Sequence, residues 1–146
     1  MKSVTICGLL TILYSFRCAV AANDEDHDHA HDHGEHGSGF EWAGIFETPE
    51  ANYLWTAQKV NGDYADPAMK LVALPATTVS QQALHDMETQ GKEAMELICT
   101  PVQAGSTITP AASTCYELQF QATAWQSLFN VDASAVAGIA FFAQHL

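Results

Sequence analysis

Basic residues are scarce in this sequence: five Lys and Arg stand against seventeen Asp and Glu, which gives a formal net charge of −12. Two of the five, Lys2 and Arg17, lie in an N-terminal segment that we expect to be removed. Nucleic acids and anionic membrane surfaces are bound by clusters of Lys and Arg. The composition therefore argues against both as partners, and the negative field attracts cations, metal ions included.

The motifs of the common enzyme classes are also missing. The sequence contains no HExxH, no GxSxG, no phosphate-binding P-loop and no dinucleotide-binding glycine pattern. Neither Cys99 nor Cys115 is followed closely by the His and Met of a blue-copper site. We therefore expect a binding protein. A small metal-dependent enzyme, with ligands distant from one another in sequence, is kept as an alternative.

A signal-like apolar run lies at the N-terminus. Residues 4–16 are mostly apolar, and Ala19–Ala21 has the small-x-small pattern at which signal peptidase cuts. A membrane anchor is the alternative, but a span needs about 20 apolar residues, and Arg17 ends this run. We expect residues 1–22 to be a cleaved signal peptide. The processed chain would then have no membrane span and would be secreted, to an extracellular or periplasmic location.

Two cysteines, Cys99 and Cys115, remain once the signal peptide is removed. An even pair in a chain bound for an oxidising compartment favours a disulfide. That disulfide would close a loop of about 15 residues and stabilise the fold by about 3 kcal/mol. A pair of metal-binding thiols is the alternative, and the lack of CxxC spacing argues against it.

Residues 23–39, with the sequence NDEDHDHAHDHGEHGSG, carry the main chemical signal, and we call them the His-rich segment. Five of the seven histidines fall within the ten positions His27–His36. Imidazole is the commonest side-chain ligand of zinc, copper and nickel. The interleaved acids raise the local cation concentration and can accept a hydrogen bond from a ligating ring. The predicted metal ligands are His27, His29, His31, His33, His36, Asp28 and Asp32.

The His-rich segment has no apolar residue larger than alanine. It cannot offset its ordering entropy, so we expect it to be disordered without a ligand. A flexible chain can wrap a zinc ion, which wants about four ligands. We expect adaptable, moderately selective binding of zinc, with copper and nickel as alternatives. Binding should weaken below about pH 6.5, because protonated imidazoles cannot ligate.

Residues 24–36 resemble the His- and Asp-rich loops of periplasmic zinc-uptake binding proteins and the His-rich tails of some metallochaperones. The likeness is one of composition, covers this stretch alone and implies no shared fold. It implies scavenging, buffering or delivery of a divalent metal, with a metal transporter or another exported protein as partner. A secreted protein-interaction module with a solubilising acidic tail is the alternative.

Residues 40–146 are expected to form a single globular domain. Strand patterns cover residues 40–46, 51–60, 69–74, 115–122 and 136–143, with a tight turn at Asn61-Gly62. A 3.6-residue period predicts one helix over about 79–98, begun by a capping box of Thr78 and Gln81. Residues 100–114 are expected to be a loop tied by the disulfide. The predicted class is α+β with a mainly antiparallel sheet, and an all-β sandwich is the alternative.

Three further expectations concern side chains of this domain. The aromatic residues should form much of the core: Phe40, Trp42, Phe46, Tyr53, Trp55, Tyr116, Phe120, Trp125, Phe129, Phe141 and Phe142. His85 with Glu88 one turn on can contribute to a metal site, although one such pair in a helix arises often by chance. The apolar strand that ends the sequence indicates either a position inside a sheet or a C-terminally incomplete chain.

Overall fold

The computed structural model describes residues 39–144, and the expected signal peptide lies outside them. Eight strands and one helix are found in this part of the chain. In chain order they are β1 (Trp42–Glu47), β2 (Asn52–Gln58), β3 (Ala68–Ala76), α1 (Gln81–Met95), β4 (Thr100–Gln103), β5 (Thr107–Ile108), β6 (Cys115–Gln119), β7 (Gln126–Asp132) and β8 (Gly138–Ala143). They form a five-stranded sheet in the order β1-β8-β3-β6-β4 and a three-stranded sheet in the order β2-β7-β5.

The five-stranded sheet is covered on both faces, because successive side chains of a strand point to opposite sides. In β3, Leu71 and Ala73 pack toward the three-stranded sheet, while Val72 and Leu74 pack toward α1. All four are fully buried. The described part of the chain therefore has three layers, with the five-stranded sheet between α1 and the three-stranded sheet.

The domain is largely sheet with one helix among residues 39–144, as expected at that coarse level, but its sheets are mixed. Four strand pairings are antiparallel, whereas β4 pairs with β6 and β5 pairs with β7 in parallel. The expectation of a plain loop over residues 100–114 is wrong, because this segment contains β4 and β5. Pro101 is tolerated in β4 because β4 is an edge strand, where a missing backbone N–H need not break the ladder.

The helix is shorter than the predicted span of 79–98, and its cap differs from the predicted one. Ser80 is the N-cap, and its Oγ accepts a hydrogen bond of 3.0 Å from the backbone N–H of Ala83. The predicted capping box of Thr78 and Gln81 is therefore wrong, since Ser80 satisfies the first turn instead. At the other end the helix stops at Met95, and Ile98, the last residue of the predicted span, is fully exposed.

Of the two C-terminal strands, β8 was predicted from the sequence and β7 was not. The apolar run ends in β8, which lies between β1 and β3 inside the five-stranded sheet and is buried at all six positions. In contrast, no strand was predicted over residues 126–132, where β7 lies. Trp125, expected in the core, is 62% exposed, whereas the other ten aromatic residues of that set belong to the two core clusters.

Candidate functional site

The predicted metal ligands, His27, His29, His31, His33, His36, Asp28 and Asp32, all lie outside the described residues. Within residues 39–144, no group of three or more His, Cys, Asp or Glu side chains is placed to hold a metal ion. Metal binding by the His-rich segment therefore stays a prediction. What the structure does describe is the place where this segment joins the folded domain.

The junction is held against the second half of α1. The Phe40 ring packs edge-on against Phe142, with ring centroids 4.9 Å apart. The Lys92 ammonium lies 5.7 Å from the centroid of the same Phe40 ring, in a cation–π contact. At Gly39, a Cβ built on the backbone would lie 3.6 Å from the Met95 Cβ and 3.8 Å from the Lys92 Cα. The last residue of the His-rich segment is thus fixed beside the helix, which sequence patterns did not indicate.

Residue Glu41 ties the start of the domain to β8 through the backbone. Its N–H donates a hydrogen bond of 2.9 Å to the carbonyl oxygen of Ala143. The next residue begins β1, which pairs with β8 along its whole length. Because β8 is an inner strand, the His-rich segment is attached to the most buried part of the fold.

A histidine and a carboxylate meet on the exposed side of α1. His85 Nδ1 lies 3.2 Å from Glu88 Oε1, and the two side chains are 72% and 35% exposed. An ionised carboxylate only accepts hydrogen bonds, so Nδ1 carries the proton in this contact. In the neutral form of the ring, the other nitrogen, Nε2, carries the lone pair.

The disulfide predicted between Cys99 and Cys115 is present, with the two Cα atoms 4.4 Å apart. It joins the chain just beyond α1 to the first residue of β6. Because the two sulfur atoms are bonded to each other, they cannot serve as a pair of metal-binding thiols. Cys115 is 2% exposed and belongs to the core cluster between α1 and the five-stranded sheet.

The folded domain is acidic, as the His-rich segment is. Residues 39–144 contain eleven Asp and Glu and only three basic residues, Lys59, Lys70 and Lys92. Like charges on both parts raise the concentration of cations around the whole chain. Among these residues, no helix is long and apolar enough to cross a membrane.

Comparisons of this chain with protein-family models, with curated proteins and with solved structures found no match.

Proposed function

We propose that this protein is exported and binds a divalent transition metal, zinc first, through the histidines of the His-rich segment. The observation that carries the proposal is the placement of five of seven histidines within His27–His36, alternating with acids. Copper and nickel are the other ions that such a ligand set accepts. The function we assign is scavenging, buffering or delivery of the ion.

Two features of the folded domain support this proposal. The Cys99–Cys115 disulfide suits a protein of an oxidising compartment, where disulfides persist. The excess of acidic residues over lysines on the domain attracts cations toward the segment. It also repels anionic molecules that would compete with the segment for those cations. Neither feature requires catalysis, and both suit a protein that holds an ion for later release.

The chemistry of binding follows from the spacing of the ligands. Histidines two residues apart can converge on one ion when the backbone bends, and zinc accepts about four such ligands. Asp28 and Asp32 can add an oxygen ligand or accept from a ligating imidazole. Because each ligating imidazole must be neutral, affinity should fall as the pH drops below about 6.5 and zinc uptake should release protons.

The test is a zinc titration by calorimetry on protein purified from a secreting host, with its N-terminus read by mass spectrometry. We expect a processed N-terminus near residue 23 and uptake of at least one zinc ion at pH 7.4. A variant with His27, His29, His31, His33 and His36 all changed to Asn keeps the net charge and should lose this uptake. His145→Asn is the matched control, because it removes a histidine outside the segment.

Two outcomes would overturn the proposal. If the wild-type protein takes up no zinc, copper or nickel, the secreted interaction module is the better interpretation. If the five-histidine variant still binds zinc tightly with one-to-one stoichiometry, the ligands lie in the folded domain, which favours the small metal-dependent enzyme.

A further inference from the structure

We propose that Asn61 is a site of spontaneous chemical modification, at which the side-chain amide is converted to aspartate or isoaspartate without any enzyme. This inference is independent of metal binding by the His-rich segment. Asn61 and Gly62 form the tip of the tight turn that follows β2, and both residues are exposed. The conversion requires a nucleophile that reaches the side-chain amide, and it requires a turn that opens easily.

The nucleophile is the backbone nitrogen of Gly62. It loses its proton and attacks the side-chain carbonyl carbon of Asn61, so that a five-membered succinimide ring closes and the amide nitrogen leaves as ammonia. Water then opens the ring at either carbonyl, which gives aspartate or isoaspartate. The reaction consumes water and releases ammonia, so it needs neither an oxidant nor a reductant. It is a chemistry that contributes to the thermal lability of asparagine in proteins.

The surroundings of Gly62 leave this attack unhindered. A Cβ built on Gly62 would find no atom within 4 Å apart from its two chain neighbours. Within residues 39–144, neither the Gly62 N–H nor the side-chain amide of Asn61 has a hydrogen-bond partner. Ring closure therefore meets no steric obstacle and breaks no hydrogen bond of these two groups to the described part of the chain.

The turn is also weakly held. Val60 and Asp63 form an isolated bridge, whose two hydrogen bonds have N–O distances of 2.9 Å and 3.3 Å. Residues 59–67, between β2 and β3, contain no strand pairing other than this bridge. Val60 is itself 57% exposed. Opening the tip therefore costs only two exposed hydrogen bonds, and it gives Asn61 the backbone rotation that ring closure needs.

The other two asparagines of residues 39–144 lie in strands, where both requirements fail. Asn52 pairs with Asp132 at the start of β2, and the residue after it, Tyr53, is buried. Asn130 lies within β7, and its Nδ2 donates a hydrogen bond of 2.9 Å to the carbonyl oxygen of Gly105. Neither asparagine is followed by glycine, so the attacking nitrogen would belong to a bulky residue. Within the described domain, the turn is therefore the place where conversion is expected.

The conversion changes the tip of the turn and leaves its base in place. Just outside the bridge, the Lys59 ammonium lies 5.6 Å from the centroid of the Tyr64 ring, and the Tyr64 hydroxyl oxygen lies 2.9 Å from Ser127 Oγ. These contacts hold the base of the turn against β7. Isoaspartate adds a methylene to the main chain where only two residues connect the bridged pair. We therefore expect it to break the bridge between Val60 and Asp63 while the domain stays folded.

The test follows Asn61 by mass spectrometry in full-length protein that is kept folded at pH 7.4 and sampled over time. Trypsin cuts after Lys59 and Lys70, and the released peptide 60–70 contains no other Asn or Gln. We expect this peptide to gain the mass of an amide-to-acid change, with fragment ions of both aspartate and isoaspartate. Because the turn opens easily, the rate in the folded protein should lie within about tenfold of the rate in a synthetic peptide of the same residues. Asn61→Gln is the matched control, since glutamine cannot close a five-membered ring, and it should show no such conversion.

A second variant, Gly62→Ala, tests the nucleophile. Its added Cβ crowds the attacking nitrogen and should slow the conversion about tenfold. Strain at φ 97° acts in the opposite direction, because it favours the open turn, so a slower rate reports the chemistry itself. If Asn61 stays intact in the folded protein while the synthetic peptide converts, the turn is rigid and the inference is wrong. Equal rates in wild type and Gly62→Ala would also overturn it, since attack by the nitrogen of residue 62 would then not control the conversion.

Discussion

The Phe142 ring occupies the space that a side chain at position 91 of α1 would need. A Cβ built on Gly91 would lie 2.7 Å from the Phe142 Cγ and 2.8 Å from both Cδ atoms. Phe142 is fully buried, and its ring also packs against Phe40 at the junction of the His-rich segment. The glycine therefore lets α1 approach β8 closely, and the helix continues through it without a break.

This packing predicts that Gly91→Ala destabilises the protein, although alanine is the better helix former. The gain in helix propensity is about 1 kcal/mol, but overpacking a filled core costs about 1–3 kcal/mol. We expect the free energy of unfolding to fall by about 1 kcal/mol. Urea denaturation followed by circular dichroism measures it.

Gln90→Ala is the control for this prediction, because Gln90 is exposed on the same helix turn. That variant gains propensity without any contact and should be as stable as the wild type or slightly more stable. If Gly91→Ala were also more stable than the wild type, the ring of Phe142 would have to move without cost, and the close packing of α1 on β8 would be refuted.

Sequence patterns were most informative where one strand has two buried faces or one simple alternation. The apolar run of β8 and the turn at Asn61-Gly62, where both residues have positive φ, are found as predicted. In β6, Tyr116 and Leu118 both pack on the core between the two sheets, whereas Glu117 between them points to the other face. These features are local, because each depends on the residues of one segment.

Features that depend on distant partners were missed. In β7, Leu128 is 40% exposed and Ser127 is fully buried. This is the reverse of what their polarity suggests. Ser127 can be buried because its hydroxyl accepts a hydrogen bond of 2.8 Å from the Gln121 N–H. The parallel strands β4 and β5 are only four and two residues long, and their partners are distant in sequence. No period can appear in so few residues.

The candidate site divides in the same way. The His- and Asp-rich composition of the His-rich segment is visible in the sequence, and so is the i, i+3 spacing of His85 and Glu88. The contact of Phe40 with Lys92 and Phe142 joins residues about fifty and about one hundred positions apart, as tertiary packing can do without any local sequence pattern. This contact is what fixes Phe40, at the start of the folded domain, beside α1.

The disulfide between Cys99 and Cys115 predicts a large loss of stability on its removal. The Cys99→Ala, Cys115→Ala double variant should unfold at lower urea concentration, with a loss of about 3 kcal/mol for a closed loop of this length. The loop contains β4 and β5, so their parallel pairings should be the first to open. Hydrogen exchange followed by NMR measures both effects.

Wild-type protein treated with a reductant is the natural comparison for the double variant, since it loses the bond but keeps both sulfur atoms. Equal destabilisation of the two would assign the effect to the covalent bond. A double variant as stable as the oxidised wild type would contradict the prediction.

The turn after β7 predicts a small, acid-sensitive contribution to stability. The side-chain hydroxyl of Ser134, at 2.6 Å, and its backbone N–H, at 3.0 Å, both donate to Asp132 Oδ1. These bonds stabilise the ionised carboxylate and hold the pKa of Asp132 below its usual range. The pKa of Asp132 is lower in the folded protein than in the unfolded chain. These bonds therefore contribute fully to stability above the pKa of the unfolded chain, and their contribution is lost as the pH falls through the pKa of the folded protein.

Ser134→Ala removes the shorter of these bonds, so the pKa of Asp132 should rise toward its usual range when it is followed by NMR of the carboxyl carbon. Ser134→Thr is the matched control, because it keeps a hydroxyl at the same position and should keep the low pKa. The difference in stability between wild type and Ser134→Ala should be present at neutral pH and disappear once the carboxyl is protonated in both. A difference that persisted unchanged into acid would show that Ser134 acts by packing, because a hydrogen bond to the carboxylate cannot survive its protonation unaltered.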